Sequence, residues 1–293
     1  MADLLTAGVR VGTPLALAAI GEAIAERGGV INLGIEGAML AGALGAAIGA
    51  SAAGPAAGVG VAVLAGVATS ALFAAVAIGA KADQIITGTA VTLGMIGLTG
   101  LIARRAFGDA GAGLSLPTLA PLPIPGLSRI PLLGEALFDQ SLLTYLSYLL
   151  VPLATWLLFR TRFGLELRAS GESASSAAAA GVRVGRVRAV GVLIGGAMAG
   201  LAGASLVLAQ VGTFTERMTA GRGFIAIAIV VLGRRHPVGV AGAALLFGGA
   251  TALQYVVQAS GSAVPYQLWQ ALPYLLALAV VALAGRRSLL DGR

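Results

Sequence analysis

Asn32 and Glu36 lie four residues apart in ERGGVINLGIEGAMLAGA (residues 26–43), a stretch otherwise made largely of apolar and small residues. That spacing puts both on one face of a helix, with Gly34 and Gly37 leaving room beside them. A charge at bilayer depth costs about 3 kcal/mol even on insertion scales, so Glu36 is expected to face protein or a water-filled cavity. Two roles fit such a pair: a polar patch on a translocation path, or a buried hydrogen-bond clamp between helices. Glu26–Arg27 followed by Gly28–Gly29 predicts a break in the helix just before it, leaving backbone groups free near the pair. A second set is Thr87, Thr89 and Thr92 in IITGTAVTLG. Neutral hydroxyls suit a path for polyhydroxylated solutes, although threonines in spanning helices also bond back to the preceding carbonyls. A third is RASGESASSAAAAG (168–181). Arg168 and Glu172 stand four apart, Ser173 can cap a helix, and SASSAAAA is helix-forming and small-surfaced.

Other chemistries are excluded by what the chain lacks. It has no cysteine, hence no disulfide, thiolate catalysis or Cys-based metal site, and its one histidine, His236, cannot build a His-rich one. An intramembrane enzyme would need a catalytic set that these residues do not supply. No Walker A pattern or other phosphate-cradling loop occurs, so the chain is not expected to bind a cofactor or hydrolyse nucleotide itself.

These residues must be positioned by helices in lipid. Of 293 residues 58% are hydrophobic and only 11% charged, less than half the roughly one quarter that a soluble domain carries. The net charge of +7 comes from Arg residues in short segments between apolar runs, with no basic face interleaved with aromatics, which argues against nucleic acid. The fold class predicted is all-α: a polytopic transmembrane bundle of about 8–10 membrane helices, forming a single domain over 1–293. Candidate spans are 4–22, 30–52, 56–80, 85–103, 141–160, 187–209, 222–233, 238–258 and 267–285, with 222–233 too short to cross alone. The first lacks a basic n-region and a cleavage site, so it is expected to stay as a membrane helix. Glycines four apart, as in Gly191, Gly195, Gly196, Gly200 and Gly203, predict close helix packing.

Arginine sets the orientation. The cluster Arg160, Arg162, Arg168, Arg183, Arg186 and Arg188, the hinge RRHP (234–237) and the tail RRSLLDGR (286–293) all belong on the cytoplasmic side. The proline-rich segment 104–140 then falls outside, as does the N-terminus if every span crosses fully. Glu216, Arg217 and Arg222 are expected at the outer surface, and Trp156, Tyr266, Trp269 and Tyr274 near span ends, where aromatic rings anchor.

GEAIAERGGVINLGIEGAMLAGA (21–43) resembles the motif of membrane permeases of ABC importers, in the branch for simple sugars, nucleosides and branched-chain amino acids. TGTAVTLGMIGLTG (87–100), FGLELRASGESASSAAAAGVRVGRVRAVGVLIGGAMAGLAGA (163–204) and GRGFIAIAIVVLGRRHPVGVAGAALLFGG (221–249) match in order, so the resemblance covers most of the chain. It looks most similar to the smaller permease of nucleoside-type importers. The resemblance implies a multi-pass protein of the bacterial cell (inner) membrane that forms a translocation path. A second permease subunit would make a heterodimer, an ABC ATPase subunit would hydrolyse ATP, and an extracytoplasmic solute-binding lipoprotein would deliver the solute. It implies that residues 168–181 form the short cytoplasmic coupling helix that docks on the ATPase, with Arg168, Ala169, Gly171, Glu172, Ala177, Ala178 and Gly181 as candidate coupling residues. It also raises the path role for Asn32, Glu36, Thr87, Thr89 and Thr92. Simple sugars or branched-chain amino acids are alternative solutes. An ion-driven secondary transporter is an alternative mechanism, and would require acidic pairs at the midplane or interrupted helices.

Overall fold

A computed structural model of the protein describes residues 2–108, 115–131 and 133–259, together with 271 and 275. Helix α1 (Ala2–Arg27) ends where the sequence predicts. Gly28 and Gly29 donate back to the carbonyls of Ala25 and Glu26, and Gly29 turns the chain at φ +77°. Helix α2 (Ile35–Ala53) follows, and Gly54 (φ +84°) passes it directly to α3 (Pro55–Ala74), with proline at the first helical position. A π turn (Ala75–Gly79) extends α3. Helix α4 (Gln84–Phe107) starts at Asp83, whose carboxylate accepts from the N–H groups of Ile85 and Ile86 at 2.9 Å each.

Beyond α4 a short antiparallel pairing, Leu122–Pro123 (β1) with Asp139–Gln140 (β2), brackets the one-turn helix α5 (Leu133–Phe138). Helix α6 (Leu142–Arg160) leads into α7 (Arg162–Glu172), α8 (Ala174–Ala179) and α9 (Val184–Leu206). Helix α9 continues in a second π turn, Val207–Val211. Last come the short α10 (Arg222–Leu232) and the long α11 (Pro237–Ala259).

Among the described residues seven helices are long and apolar enough to cross a membrane, and α10 is an eighth, short apolar helix. They match eight of the nine expected spans within a few residues; of the ninth, 267–285, only 271 and 275 are described, both helical, and Tyr266, Trp269, Tyr274 and the tail lie outside the described residues. Trp156 is exposed on α6 four residues before its end.

Helix α9 forms the centre, and the glycines let the backbones meet. Gly195 lies against Gly21 of α1, Gly196 and Gly200 against α3 at Gly66 and Ala62, and Gly203 against α2 at Met39 and Ala43. The two ends of the bundle separate as the arginine count predicts. At one end the close of α1, the α7–α8 segment and the turn 233–236 are joined by Arg27 and Arg188. At the other, Leu116 and Leu119 of the proline-rich segment donate to the carbonyls of Gly212 and Leu208.

Candidate functional site

The break between α1 and α2 (residues 28–34) is non-helical backbone inside a membrane bundle, so each of its polar groups needs a partner from protein. Side chains of two helices, α1 and α4, and of the break itself supply several. The Ile31 N–H donates to Gln84 Oε1 at 2.9 Å, and the Asn32 N–H to Glu22 Oε1 at 2.8 Å. The Leu33 carbonyl accepts from Thr92 Oγ1 at 3.0 Å, and the Gly34 N–H donates to Asn32 Oδ1 at 3.0 Å. The helical face expected to carry both Asn32 and Glu36 does not form, because α2 begins only at Ile35; Asn32, 2% exposed, lies in the break and works as a turn-former that holds the start of α2.

Glu36 sits in the first turn of α2 and faces protein. Its Oε1 accepts from Thr219 Oγ1 at 2.6 Å and from the Gly221 N–H at 2.8 Å; its Oε2 accepts from the Gly223 N–H at 2.6 Å. These donors open α10, so the carboxylate of one helix caps the N-terminus of another. Two helix N-termini converge there, and their partial positive charge favours an anion. The approach is so close that a Cβ on Gly223 would lie 2.7 Å from the Glu36 Cα, and Gly221 takes the left-handed conformation (φ +81°) that lets the chain turn into α10.

The structure thus brings Asn32, Glu36 and Thr92 to one junction. Thr87 is buried on α4 beside Gly88, which packs on Leu33 and Gly34. Thr89 is on the exposed side of α4 with its hydroxyl bonded back to the Ile85 carbonyl. Arg222, expected at the outer surface, is half-buried at the start of α10 and donates to the Met218 and Thr219 carbonyls. Alternation misplaces it because residues 212–221 lead back to the Glu36 junction before α10 begins. Glu216 pairs with Arg104, which explains an arginine at the end where few are expected.

Two buried carboxylates were missed by the sequence reading. Glu22 is 1% exposed on α1, with only Oε1 partnered, and Glu26 pairs with Arg235 at 3.1 Å. The signal was available: a carboxylate in the apolar run ALAAIGEAIAE calls for the same question as Glu36.

At the arginine-rich end, Ser173 caps α8 as expected, its Oγ accepting from the Ser176 N–H at 3.3 Å. The pairing that Arg168 and Glu172 invite by spacing does not form. Arg168 donates to the Gly164 carbonyl and lies over the Phe159 ring, 5.0 Å from its centre, while His236 stacks on the same ring. Glu172 is exposed. Ala169 is half-buried and accepts from the Ser173 N–H; Gly171, though exposed, packs against the Arg27 carbonyl and Gly29. Ala177 is buried, Ala178 exposed, and Gly181 (φ +85°) turns the chain toward α9. Arg188 of α9 bridges α7 to the break: its Nε donates to the Gly28 carbonyl and its Nη2 to the Ser170 carbonyl, both at 2.8 Å.

The molecule is thus a bundle of membrane-spanning helices with a buried helix junction and a short capped helix at its basic end. The family described as "Branched-chain amino acid transport system / permease component" matches residues 4–281. The guanosine ABC transporter permease NupQ of Bacillus subtilis is 35% identical, over 93% of this chain and 88% of its own. The nucleoside ABC transporter permease NupC of Lactococcus lactis is 34% identical, over 92% and 88%. TsgC13 of Haloferax volcanii, a candidate glucose ABC transporter permease, is 40% identical over 86% and 77%. No solved structure matches the chain at a significant level. With the spans, the buried junction and these likenesses together, the chain belongs to the permease-component family of branched-chain amino acid transport systems, as a multi-pass membrane permease subunit of an ABC importer.

Proposed function

We propose that this chain is one of two non-identical permease subunits of a nucleoside importer, receives solute from an extracytoplasmic binding lipoprotein, and is driven by an ATPase subunit docked on α8. The observation that carries the coupling is the route from α8 inward. Helix α8 is joined head to tail to α7, whose Ser170 and Gly171 are held to Gly28, Gly29 and Arg27 by Arg188 and by close backbone contact. A push on α8 therefore acts on the break, and through Asn32 and Glu36 on the start of α10. In this reading Asn32, Glu36, Thr87 and Thr92 shape the path from behind, and Thr89 on the exposed side of α4 faces it. ATP is bound and hydrolysed only by the partner.

The nucleoside assignment rests on the names of NupQ and NupC, each aligned over more than nine-tenths of this chain. Hydroxyl-bearing solutes also suit a bundle whose buried polar groups are mostly neutral. The higher identity to TsgC13 favours a sugar as the second reading.

The test is uptake by the complete assembly in proteoliposomes with ATP inside and labelled guanosine outside. Uptake should need the ATPase subunit, survive collapse of the proton gradient, and be competed by other nucleosides. Competition by glucose but not by nucleosides would establish the sugar reading, and ATP-independent uptake would overturn the coupling.

A further inference from the structure

The end of the bundle opposite the arginine cluster holds a cavity of about 250 Å³ that none of the readings above uses. Its walls are α1 at Arg10 and Thr13, the β2–α6 corner at Gln140, Ser141 and Thr144, and the π turn that ends α9. Residues 118–121 form the roof, strapped down by the hydrogen bond from the Leu119 N–H to the Leu208 carbonyl at 2.8 Å. A π turn is a costly departure from the α-helix that recurs at functional sites, and here it brings Ala209, Gln210 and Val211 to the lining.

The polar groups are fixed. Thr144 Oγ1 lies 3.2 Å from both Thr13 Oγ1 and Ser141 Oγ, so three hydroxyls from two helices make one cluster. Gln140 is completely buried; its Nε2 donates to the Ala136 carbonyl at 2.9 Å and reaches the Glu135 carbonyl at 3.4 Å. Two carbonyls demand the amide nitrogen on that side, which leaves Oε1 turned from them, buried and without a partner. A buried acceptor left empty is destabilising, and the group that satisfies it must be a donor.

No carboxylate lines the cavity and one cation, Arg10, does, with its residue exposed. An ammonium donor would meet Arg10 with no counter-charge, and a carboxylate would face Gln140 Oε1 acceptor to acceptor. A neutral O–H donor meets neither problem. Size narrows the class further. Pockets for drug-sized ligands run from about 300 Å³ upward, and this smaller one matches a single five- or six-membered sugar ring.

We infer that this cavity is a subsite for a neutral vicinal diol of monosaccharide size, holding the ribosyl ring of a nucleoside between Gln140 Oε1 and the Thr13–Ser141–Thr144 hydroxyls. The identity of the ring as ribosyl rests on the nucleoside reading; the diol chemistry does not.

The test uses the complete assembly in nanodiscs without its binding protein, so that only the membrane subunits are probed. Saturation-transfer NMR is recorded with ribose, adenosine, 2′,3′-dideoxyadenosine, adenine and leucine. The expected result is ribose binding, adenosine contacts concentrated on ribosyl protons, and loss of signal for the dideoxy compound and adenine. Thr144→Val and Ser141→Ala should each weaken ribose by about three- to tenfold, the scale of one hydrogen bond. Gln140→Leu should do the same; because its amide also supports α5, the two hydroxyl variants keep the test open if it misfolds. Unchanged affinity in both, or equal binding of the dideoxy compound, would mean that the cavity holds only water, and the subsite falls. Normal guanosine uptake alongside that result leaves the nucleoside reading standing. Ribose binding with no nucleoside uptake leaves the subsite standing and overturns that reading.

Discussion

The carboxylate of Glu36 and the amide of Gly223 meet at 2.6 Å, from two helices whose N-termini point at each other inside the bundle. Neither end has a turn of helix before it to satisfy its N–H groups, and lipid offers no water to do so. One side chain answers for three donors, two of them backbone amides of α10 or its cap. Glu36→Ala should therefore leave three donors empty and lower stability by about 3 kcal/mol or more. Glu36→Gln keeps one acceptor oxygen but presents an amide N–H₂ to an N–H, and should fall between the two. Thermal unfolding of the detergent-purified assembly gives the order. Equal and mild effects would show that α10 does not depend on this cap.

Gly223→Ala tests the same junction from the other side. Its added Cβ would lie 2.7 Å from the Glu36 backbone N and Cα, neither of which can rotate away. Overpacking of this kind costs about 1–3 kcal/mol. The expected outcome is an inserted protein with lower stability and with uptake reduced beyond the loss of folded material. Wild-type uptake per folded molecule would show that the junction tolerates displacement.

Arg188 is the third point of leverage. Its planar guanidinium reaches Gly28 and Ser170 at once, which a lysine ammonium on a flexible stem cannot do with the same geometry. Arg188→Lys should keep the topology charge and still reduce uptake per ATP hydrolysed, with ATPase activity preserved. Arg188→Ala should do so more severely. If Lys and wild type show the same ratio of uptake to hydrolysis, the bridge carries charge alone and no coupling.

How much of this was legible follows from the kind of signal each residue gives. Spans are recorded in local composition, so α1 to α4, α6, α9 and α11 could be placed within a few residues. The break at Gly28–Gly29 was legible because both are local breakers; its extension to Gly34 was not, because Asn32 was read as helical and only in the fold does its side chain take the Gly34 N–H. The partners of Glu36 were not, because Thr219, Gly221 and Gly223 lie 183 to 187 residues away, and only the packing of α2 on α10 joins them. Arg188 was read as one of six topology arginines; counting charge cannot tell the one that turns inward. The interrupted helices held in reserve for an ion-driven carrier are present here in an ABC permease. A broken span needs its freed backbone groups paired, and Glu22, Gln84, Asn32, Thr92 and Glu36 pair several of them from within the protein.

The glycine seam on α9 gives a contrast within one residue type. A Cβ at Gly203 would collide with the Met39 carbonyl and the Ala43 amide, whereas one at Gly60 of α3 meets nothing within 4 Å. Gly203→Ala should cost about 1–3 kcal/mol by forcing α2 off α9. Gly60→Ala should be neutral or slightly stabilising, as an open helical glycine gains propensity with alanine. Comparing the two by thermal unfolding separates a packing requirement from a general intolerance of glycine loss.

Residues on α8 separate docking from folding in the same way. Ala177 is 4% exposed and seats the short helix on the bundle, so a bulky residue there disturbs the fold and says nothing of a partner. Ala178 is exposed, as is Glu172 at the end of α7, and neither is used by the bundle's own hydrogen bonds through its side chain. Ala178→Trp and Glu172→Lys should therefore leave insertion and unfolding temperature unchanged. Both should separate hydrolysis from uptake, the first by filling the space a docking groove would close around, the second by reversing charge at its rim. The measurement is the number of solute molecules moved per ATP in proteoliposomes, with co-purification of the ATPase subunit scored in parallel. A normal ratio in both variants would remove α8 as the docking element and move the search to the exposed arginines at 183 and 186, which flank the same end of α9.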